Sequence, residues 1–458
     1  GKSESMKKTF SYIAASLILL VSTLRVSAQP GTYALPDLKW YTIESEHFLA
    51  HYHEGAERTA QVLVKIGEEI YDPIVSLYDY EPDGKLHIII KDTDDYSNGG
   101  AYYYDNKILI WATAMDWDLR GTHDWLRNVF THEFSHMIQL GASRKLPRNI
   151  PAIYLQWMNY EEERRPDVLY GFPNVLVSYP VAMTIVPPWF AEGVAQCQAP
   201  GFVYEHWDSH RDMILRDRTL TGNLLTLDEM GAFGKNTIGS ESVYNQGFSL
   251  VNHISRNWGC QALSDISHEM QKLINFTFNG AIEEVLGISQ QELYNTWRDS
   301  LREYYLEATA VIKENQVNGE LHETPAYGNF YPIYINDKEI IYISNAFSDY
   351  MSMTSLYRMN LETNETEMIQ PGVTSRPAVS PDGKYIVYSR KKGLVRRHFL
   401  NDLFLYDLEK EEEYRLTEGA RAYSPAFSPD GKRLTFILNY SGNRNLAIAE
   451  MPDFNGGD

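Results

Sequence analysis

The sequence predicts a multidomain protein: an α+β domain, made of a small sheet and a helical lobe, followed by an incomplete all-β domain. Its 458 residues exceed the length of one ordinary domain. Helical periodicity and short strands are mixed in residues 29–312, whereas residues 325–458 hold only short alternating segments with turn signals. The polar stretch 313–324 between them is predicted to be a linker.

Residues 1–28 are predicted to be a secretory signal peptide with a short N-terminal extension. Met6-Lys7-Lys8 is a positive segment, an apolar run follows from Tyr12 to Val21, and small residues lead up to Ala28. The apolar run is shorter than the ~20 residues of a membrane span, and no other stretch is long and apolar enough. We therefore expect a mature chain without a transmembrane segment that is periplasmic, cell-surface or secreted.

Composition narrows the classes of partner. A formal net charge of −20 argues against nucleic acid, because an acidic surface repels phosphate groups. Cys197 and Cys260 are too few for a disulfide scaffold. Export allows these two residues to form a disulfide, and two free thiols fit the sequence equally well.

One stretch carries a recognisable chemical pattern, His132-Glu133-Phe134-Ser135-His136. Residues four apart share one face of a helix, so His132 and His136 direct two imidazoles to one point, where they suit Zn²⁺. Glu133 projects from the same helix and could take a proton from an attacking water. Apolar residues recur at spacings of three and four from Trp125 to Ile138, which predicts a helix. The alternative is a core helix whose two histidines share this spacing by chance.

The segments before this helix predict a small sheet with one long helix. Strands are expected at 40–53 and 86–90, a hairpin at 101–104 and 107–112, and the helix at 56–80, kinked or divided by Pro73. The acidic segment Asp92–Gly100 is predicted to be a turn, with Ca²⁺ binding as the alternative. The hairpin is expected to offer the edge strand to which an extended peptide adds.

A second helix is predicted to carry a buried acid. The proline-bearing stretch 146–188 is interpreted as an insertion, helical around Tyr154–Glu163, and it leads to Pro187-Pro188-Trp189-Phe190-Ala191-Glu192-Gly193-Val194-Ala195. Glu192 lies among apolar residues, and a buried carboxylate needs a partner such as a metal ion. The alternative is an acid that serves only the helix dipole. Further helices are expected at 242–258, 263–273 and 290–310.

Together these motifs resemble the gluzincin metallopeptidases, and residues 38–310 are similar to the secreted peptidase MA-like domains of bacteria. The resemblance rests on the H-E-x-x-H motif and on the P-x-W-F-x-E-G-x-A block. It implies a zincin-like metallopeptidase domain in which His132, His136 and Glu192 hold one Zn²⁺ ion. Glu133 would be the catalytic base.

The same resemblance extends to the substrate side of the site. It implies that Gly99, Gly100 and Ala101 belong to the substrate-binding edge strand and that Tyr244 contacts the reaction oxyanion. The alternative for Tyr244 is an ordinary packing role. The sequence departs from the best-known aminopeptidase branch, since 55 residues separate His136 from Glu192 and no G-x-M-E-N segment is present.

Beyond the linker, one pattern recurs. Segments that begin at Pro332, Pro377 and Pro425 align at spacings of 45 and 48 residues, and the last two share Ser-Pro-Asp-Gly-Lys. Such a period is typical of four-stranded propeller blades, and Pro-Asp-Gly gives a tight turn between two strands. The repeats resemble the TolB-like β-propellers. Because three blades cannot close a ring of about four to eight, we expect further blades in a longer parent protein.

The sequence thus favours an exported zinc metallopeptidase that hydrolyses a peptide or protein substrate. Glu133 would activate the water, and the propeller would bind a protein partner or control access. The alternative is a surface or periplasmic binding protein in which the propeller is the functional module and the peptidase domain is inactive.

Overall fold

The computed structural model describes residues 38–115, 120, 124–150, 153–159, 175–196, 209–233, 237–322, 325–348, 350–391, 399–440 and 442–452. The predicted signal peptide and Cys197 lie outside these residues, and Cys260 is a free thiol. The elements below belong to one unit, Trp40–Asp458. Within the described ranges, no helix combines the length and the apolar character needed to pass through a membrane.

Five strands form the N-terminal sheet: β1 (Trp40–Glu44), β2 (Phe48–His53), β3 (Leu86–Lys91), β4 (Gly99–Tyr102) and β5 (Lys107–Trp111). Their order is β1-β2-β3-β5-β4, with β2, β3 and β5 parallel and the two outer strands antiparallel to their neighbours. The single strand predicted over 40–53 is in fact two strands, because the chain reverses between Glu44 and Phe48. The predicted hairpin is β4–β5, and β4 is an edge strand.

Two helices pack on this sheet, α1 (Glu57–Tyr78) and α2 (Trp125–Ala142). Helix α1 continues through Pro73, so the expected division of the helix is wrong. Phe48 on β2 lies edge-on to Phe130 and Phe134 of α2, with ring centroids 5.5 and 5.6 Å apart. These buried rings fix the motif helix against the sheet.

A helical lobe follows. It comprises α3 (Pro188–Gln196), α4 (Ser209–Thr221), α5 (Thr237–Trp258), α6 (Gln261–Gln271), α7 (Phe278–Leu286), α8 (Gln290–Ala308) and α9 (Ala310–Glu314). Helices α4 and α7 were not among the predicted elements. Helices α3 and α5 cross at backbone contact, since a Cβ on Gly193 would lie 2.5 Å from the carbonyl oxygen of Gly247. A Cβ on Gly247 would lie 2.3 Å from the carbonyl oxygen of Trp189.

The insertion contains a hairpin where a helix was predicted. Strand β6 (Tyr154–Asn159) pairs antiparallel with β7 (Val175–Pro180). The helix expected around Tyr154–Glu163 is therefore wrong over β6, because its backbone groups pair with a second strand and not within the segment. Residues 160–163 lie outside the described residues.

The C-terminal part consists of three antiparallel sheets, in agreement with the three predicted repeats. Among the described residues two of these sheets have four strands and the last has three. The strands are β8 (Asn329–Asn336), β9 (Glu339–Ser344), β10 (Ser355–Asn360), β11 (Thr366–Pro371), β12 (Ala378–Val379), β13 (Tyr385–Lys391), β14 (Asn401–Asp407), β15 (Glu412–Arg415), β16 (Ala422–Phe427), β17 (Arg433–Tyr440) and β18 (Asn443–Glu450).

The Pro-Asp-Gly turns close as expected. In the second sheet the Ser380 hydroxyl donates to Asp382 over 2.6 Å and accepts the backbone N–H of Tyr385 over 2.9 Å. Gly383 has φ +72°, a conformation that favours glycine. The second copy of the motif repeats these contacts at Ser428.

The acidic segment Asp92–Gly100 contacts the propeller. The guanidinium of Arg421 lies 2.8 Å from Asp92 and 2.7 Å from Asp95, and it donates to the Thr113 hydroxyl over 2.7 Å. The backbone N–H of Asn401 also donates to Asp95, over 2.7 Å. The segment that was predicted to be a turn is thus an ion-paired contact between the two parts of the chain.

Candidate metal centre

The three predicted metal ligands meet at one point, from two helices that are far apart in sequence. His132 and His136 lie one turn apart on α2, and Glu192 projects from α3. A Glu192 carboxylate oxygen lies 3.0 Å from Nε2 of His132 and 3.4 Å from Nε2 of His136. The two Nε2 atoms are 3.1 Å apart.

These separations fit a zinc ion. Donor atoms at about 2.0–2.1 Å from a tetrahedral zinc ion lie about 3.3–3.5 Å from one another. Two imidazoles and one carboxylate are also a ligand set that zinc accepts, and three protein ligands leave a fourth position open. The side chains of His132, His136 and Glu192 are 12–13% exposed, so an ion there would be shielded yet reachable.

Electrostatics at this cluster favour an ionised Glu192. Burial opposes the charge of its carboxylate, but the imidazoles of His136 and His132 outweigh burial and hold the pKa of Glu192 well below its usual range. A buried carboxylate that stays ionised beside two imidazoles is ready to accept a cation.

Glu133 lies beside the cluster in a different environment. Its side chain is buried, and burial raises the pKa of Glu133 above its ordinary value although the two histidines act in the opposite direction. The backbone N–H of Ala101 donates a hydrogen bond to its carboxylate. Two carboxylates in one cleft thus have pKa values shifted in opposite directions, which is typical of acid–base sites.

The predicted edge strand lies against Glu133. Gly99, Gly100 and Ala101 belong to β4, and among the described residues no strand pairs with the other edge of β4. Since the N–H of Ala101 points away from β5 and towards Glu133, the backbone groups of Gly99 and Ala101 face the cleft. A Cβ on Gly99 would lie 2.6 Å from a carboxylate oxygen of Glu133, so only glycine allows this approach.

Tyr244 on α5 lines the same cleft. The centroid of its ring is 6.5 Å from that of His132. Burial and the nearby charge of Glu192 raise the pKa of Tyr244, so that its hydroxyl stays protonated near neutral pH and can donate a hydrogen bond. The structure therefore brings all eight predicted site residues to one cleft.

An arginine–glutamate pair in the cleft was missed by sequence reasoning. Arg120 donates to both carboxylate oxygens of Glu241, over 2.8 and 3.1 Å, and its guanidinium lies 4.8 Å from the centroid of the Tyr244 ring. The two residues are 121 positions apart and carry no local motif. Their pairing is visible only in three dimensions.

The cleft has a volume of about 570 Å³, a size suited to part of a peptide. Along one wall run residues 98–101, and along the other lie Glu192, Glu241 and Tyr244. Chemically, the arrangement combines a site for a divalent cation, a buried carboxylate beside it, a tyrosine hydroxyl and a strand edge for main-chain hydrogen bonds.

Sequence comparisons reach a limited part of the chain. No protein-family model matches it. The Tol-Pal system protein TolB from Helicobacter hepaticus is 28% identical over 125 residues, which are 26% of this chain and 28% of that protein. Dipeptidyl-peptidase 5 from Porphyromonas endodontalis is 48% identical over 64 residues, 13% of this chain and 9% of that protein. The chain therefore spans less than a third of either relative.

Solved structures give a similar result. TolB from Acinetobacter baumannii superposes with a TM-score of 0.23 at 22% identity, covering 29% of this chain and 31% of that chain. The β-propeller domain of the Trilobed protease from Pyrococcus furiosus gives a TM-score of 0.21 at 21% identity, covering 28% and 44%. Both matches cover less than a third of this chain and neither tests the gluzincin resemblance, which stays a prediction. The chain contains a segment similar to the TolB-type β-propellers, as its repeats predicted.

Proposed function

We propose that this protein is an exported zinc metallopeptidase that acts outside the cytoplasm. The observation that carries the proposal is the convergence of His132, His136 and Glu192 beside Glu133, in a cleft also lined by β4, whose outer edge pairs with no strand that the structure describes. A bound Zn²⁺ would polarise the scissile carbonyl and acidify the attacking water.

The chain's own residues supply the remaining steps. The N–H groups of Gly99 and Ala101 already donate to Asn98 and Glu133, so their carbonyl groups would accept from an extended substrate as an added strand. This pairing would align one peptide bond with the cluster. Glu133 would accept a proton from the attacking water and return it to the leaving amine. The hydroxyl of Tyr244 would donate to the oxygen that becomes negative in the transition state.

Replacing the proposed base tests this function. Glu133→Gln keeps the shape of the side chain and removes its basicity, so metal content should stay at one ion per chain while kcat on cleaved peptides falls by about 10² to 10⁴-fold. Metal analysis and digestion of an unbiased peptide library measure the two quantities. Glu307→Gln, on the exposed face of α8, is the matched control. Unchanged cleavage by Glu133→Gln would exclude the mechanism.

A second candidate is a binding protein in which the propeller is the functional module. The comparisons support this candidate better than the first, because the chain's similarity is to TolB, which is named as a protein of the Tol-Pal system. The geometry of the cleft supports the first. Wild-type protein that holds zinc but cleaves no member of the peptide library would decide for the second candidate.

A further inference from the structure

We propose that the cavity between the propeller and the N-terminal sheet is a substrate subsite that takes a bulky, uncharged side chain of the same peptide that binds in the cleft. This inference rests on the proposed peptidase function for the identity of the ligand. The cavity measures about 530 Å³, within the range of about 300–1,000 Å³ that binding pockets occupy.

The cavity and the cleft are adjacent. Met115 lines both of them. Asn98 lines the cleft, and the two residues before it, Tyr96 and Ser97, line the cavity. One unbroken stretch of main chain therefore leads from one site to the other.

This stretch prolongs the edge strand. The backbone N–H of Trp111 donates to the carbonyl of Asn98 over 3.1 Å, and the Ser97 hydroxyl donates to the carbonyl of Thr113 over 2.6 Å. A peptide added along β4 that continues past Gly99 thus meets the cavity. Since added strands pair residue by residue, the subsite lies about three to five residues from the peptide residue opposite Ala101.

The lining of the cavity selects against charge. Phe330, Ile343 and Met351 of the first blade and Tyr423 of the third contribute apolar or aromatic surface. Among the described residues, two charged side chains also line it, and their charges are opposite. Asp95 is paired with Arg421, and the ammonium of Lys391 donates to the carbonyl of Asp95. An aromatic or large aliphatic side chain suits such a surface, whereas an ionised one would lose its water without gaining a partner.

The propeller contacts also keep the cavity formed. Arg421 bridges Asp92 and Asp95 on one side. On the other side, Arg444 donates to the carbonyls of Ala114 and Met115 over 3.1 and 2.8 Å. A subsite held by both parts of the chain is pre-organised, which favours binding.

Peptide binding to the full-length Glu133→Gln protein tests the subsite without depending on turnover. The probes are fluorescein-labelled decapeptides of alanine and serine in which one phenylalanine occupies each position in turn, measured by fluorescence anisotropy. We expect one or two adjacent phenylalanine positions to tighten binding at least tenfold over the peptide without phenylalanine. A lysine or glutamate at those positions should give no gain.

Two variants test whether the tighter binding of phenylalanine-containing peptides arises in this cavity. Ser352 lines the cavity and is exposed, so Ser352→Trp fills the space, and Phe330→Ala removes part of its apolar wall. Each should reduce the phenylalanine gain at least fivefold and leave binding of an alanine–serine tetrapeptide unchanged. Thr366→Trp, at an exposed position on β11 of the same blade, is the control and should change neither.

The outcomes separate this inference from the proposed function. The subsite is refuted if phenylalanine tightens binding at no position. It is also refuted if the tighter binding persists in Ser352→Trp and Phe330→Ala. If the gain is lost in both variants while wild-type protein cleaves no peptide, the subsite stands and the peptidase function fails. If wild-type protein cleaves short peptides but phenylalanine tightens binding at no position, only the subsite is refuted.

Discussion

Replacing Arg421 by methionine would remove the ion pairs that dock the propeller and keep the apolar stem of the side chain. In the folded protein the Asp95 side chain is 1% exposed and the Asp92 side chain 6% exposed. Asp95 would keep the backbone N–H of Asn401 as a partner, whereas the Asp92 carboxylate would lose its guanidinium partner. Breaking a buried pair by removing one partner costs about 3–5 kcal/mol. Burial already raises the pKa of Asp92 in spite of the charge of Arg421.

The upper bound of the effect follows from protonation. An unpaired carboxyl can take up a proton, which costs about 4 kcal/mol at pH 7, since its ordinary pKa is near 3.9 and each unit corresponds to about 1.36 kcal/mol. We therefore expect Arg421→Met to lower the free energy of unfolding by about 3–4 kcal/mol at pH 7. At pH 5 the same protonation costs about 1.5 kcal/mol, so the loss should shrink.

The stability lost in Arg421→Met should be larger at pH 7 than at pH 5. Burial raises the pKa of Asp92, and without Arg421 nothing in this contact offsets burial, so stability is lost as pH rises through the folded pKa of Asp92. Urea denaturation followed by tryptophan fluorescence at pH 5 and pH 7 measures the effect. Arg298→Met, which removes a pair with 44% and 67% exposed side chains, is the control and should change stability by less than about 1 kcal/mol.

A further variant identifies the cause. Neutralising both acids in Arg421→Met/Asp92→Asn/Asp95→Asn should restore most of the lost stability, because neither buried carboxylate is then left without its guanidinium. The reasoning is refuted if Arg421→Met stays within about 0.5 kcal/mol of wild type, or if its defect is equal at both pH values. Equal stability of the single and triple variants would also contradict it.

Three other predictions concern the cleft and the second blade. Gly99→Ala should lower kcat/KM on peptides about 10²-fold, because the new methyl group displaces the edge strand from Glu133. Gly100→Ala is the control and should stay within a few-fold of wild type, since its Cβ meets only the exposed ring of Tyr102 at 3.2 Å. Equal losses in steady-state assays would contradict the role of the edge strand in substrate binding. Tyr244→Phe should lower kcat about 10²- to 10³-fold at unchanged metal content, and a change in KM alone would remove the oxyanion role. Burial opposes the charge of Asp402, but hydrogen bonds led by that from Arg415 hold the pKa of Asp402 below its usual range. The carboxylate therefore stabilises the fold above its unfolded pKa of about 3.9, and this contribution is lost as pH falls through the folded pKa. Asp402→Asn should therefore cost about 2 kcal/mol in urea denaturation at pH 7 and flatten the acid side of the stability profile, and an unchanged acid profile would disprove the assignment.

Features that depend on local spacing were predictable from the sequence. The interval of four between His132 and His136 is a helical repeat, and it places both imidazoles together whatever surrounds the helix. The apolar neighbours of Glu192 predicted a buried carboxylate in need of a partner, and the resemblance supplied its expected role as a metal ligand. The Pro-Asp-Gly turns needed only their own residues.

Features that depend on distant pairing were not predictable. The segment Tyr154–Asn159 has no strong period of its own, and its strand conformation comes from pairing with residues 175–180. Arg120 meets Glu241 across 121 positions, and Arg421 meets Asp95 across 326. Single charged residues carry no sign of which distant charge they approach, so the acidic segment could be interpreted only as a turn or a cation site.

The contact at Arg421 links the two candidate functions. Asp92 and Asp95 bind the propeller, and four residues after Asp95 the same chain becomes Gly99, which touches Glu133. Any partner that shifts the propeller relative to this segment would also move the edge strand, and by reciprocity a peptide on that strand would change the affinity for the partner. The ion pair therefore gives the two proposed functions a physical connection through one short segment of chain.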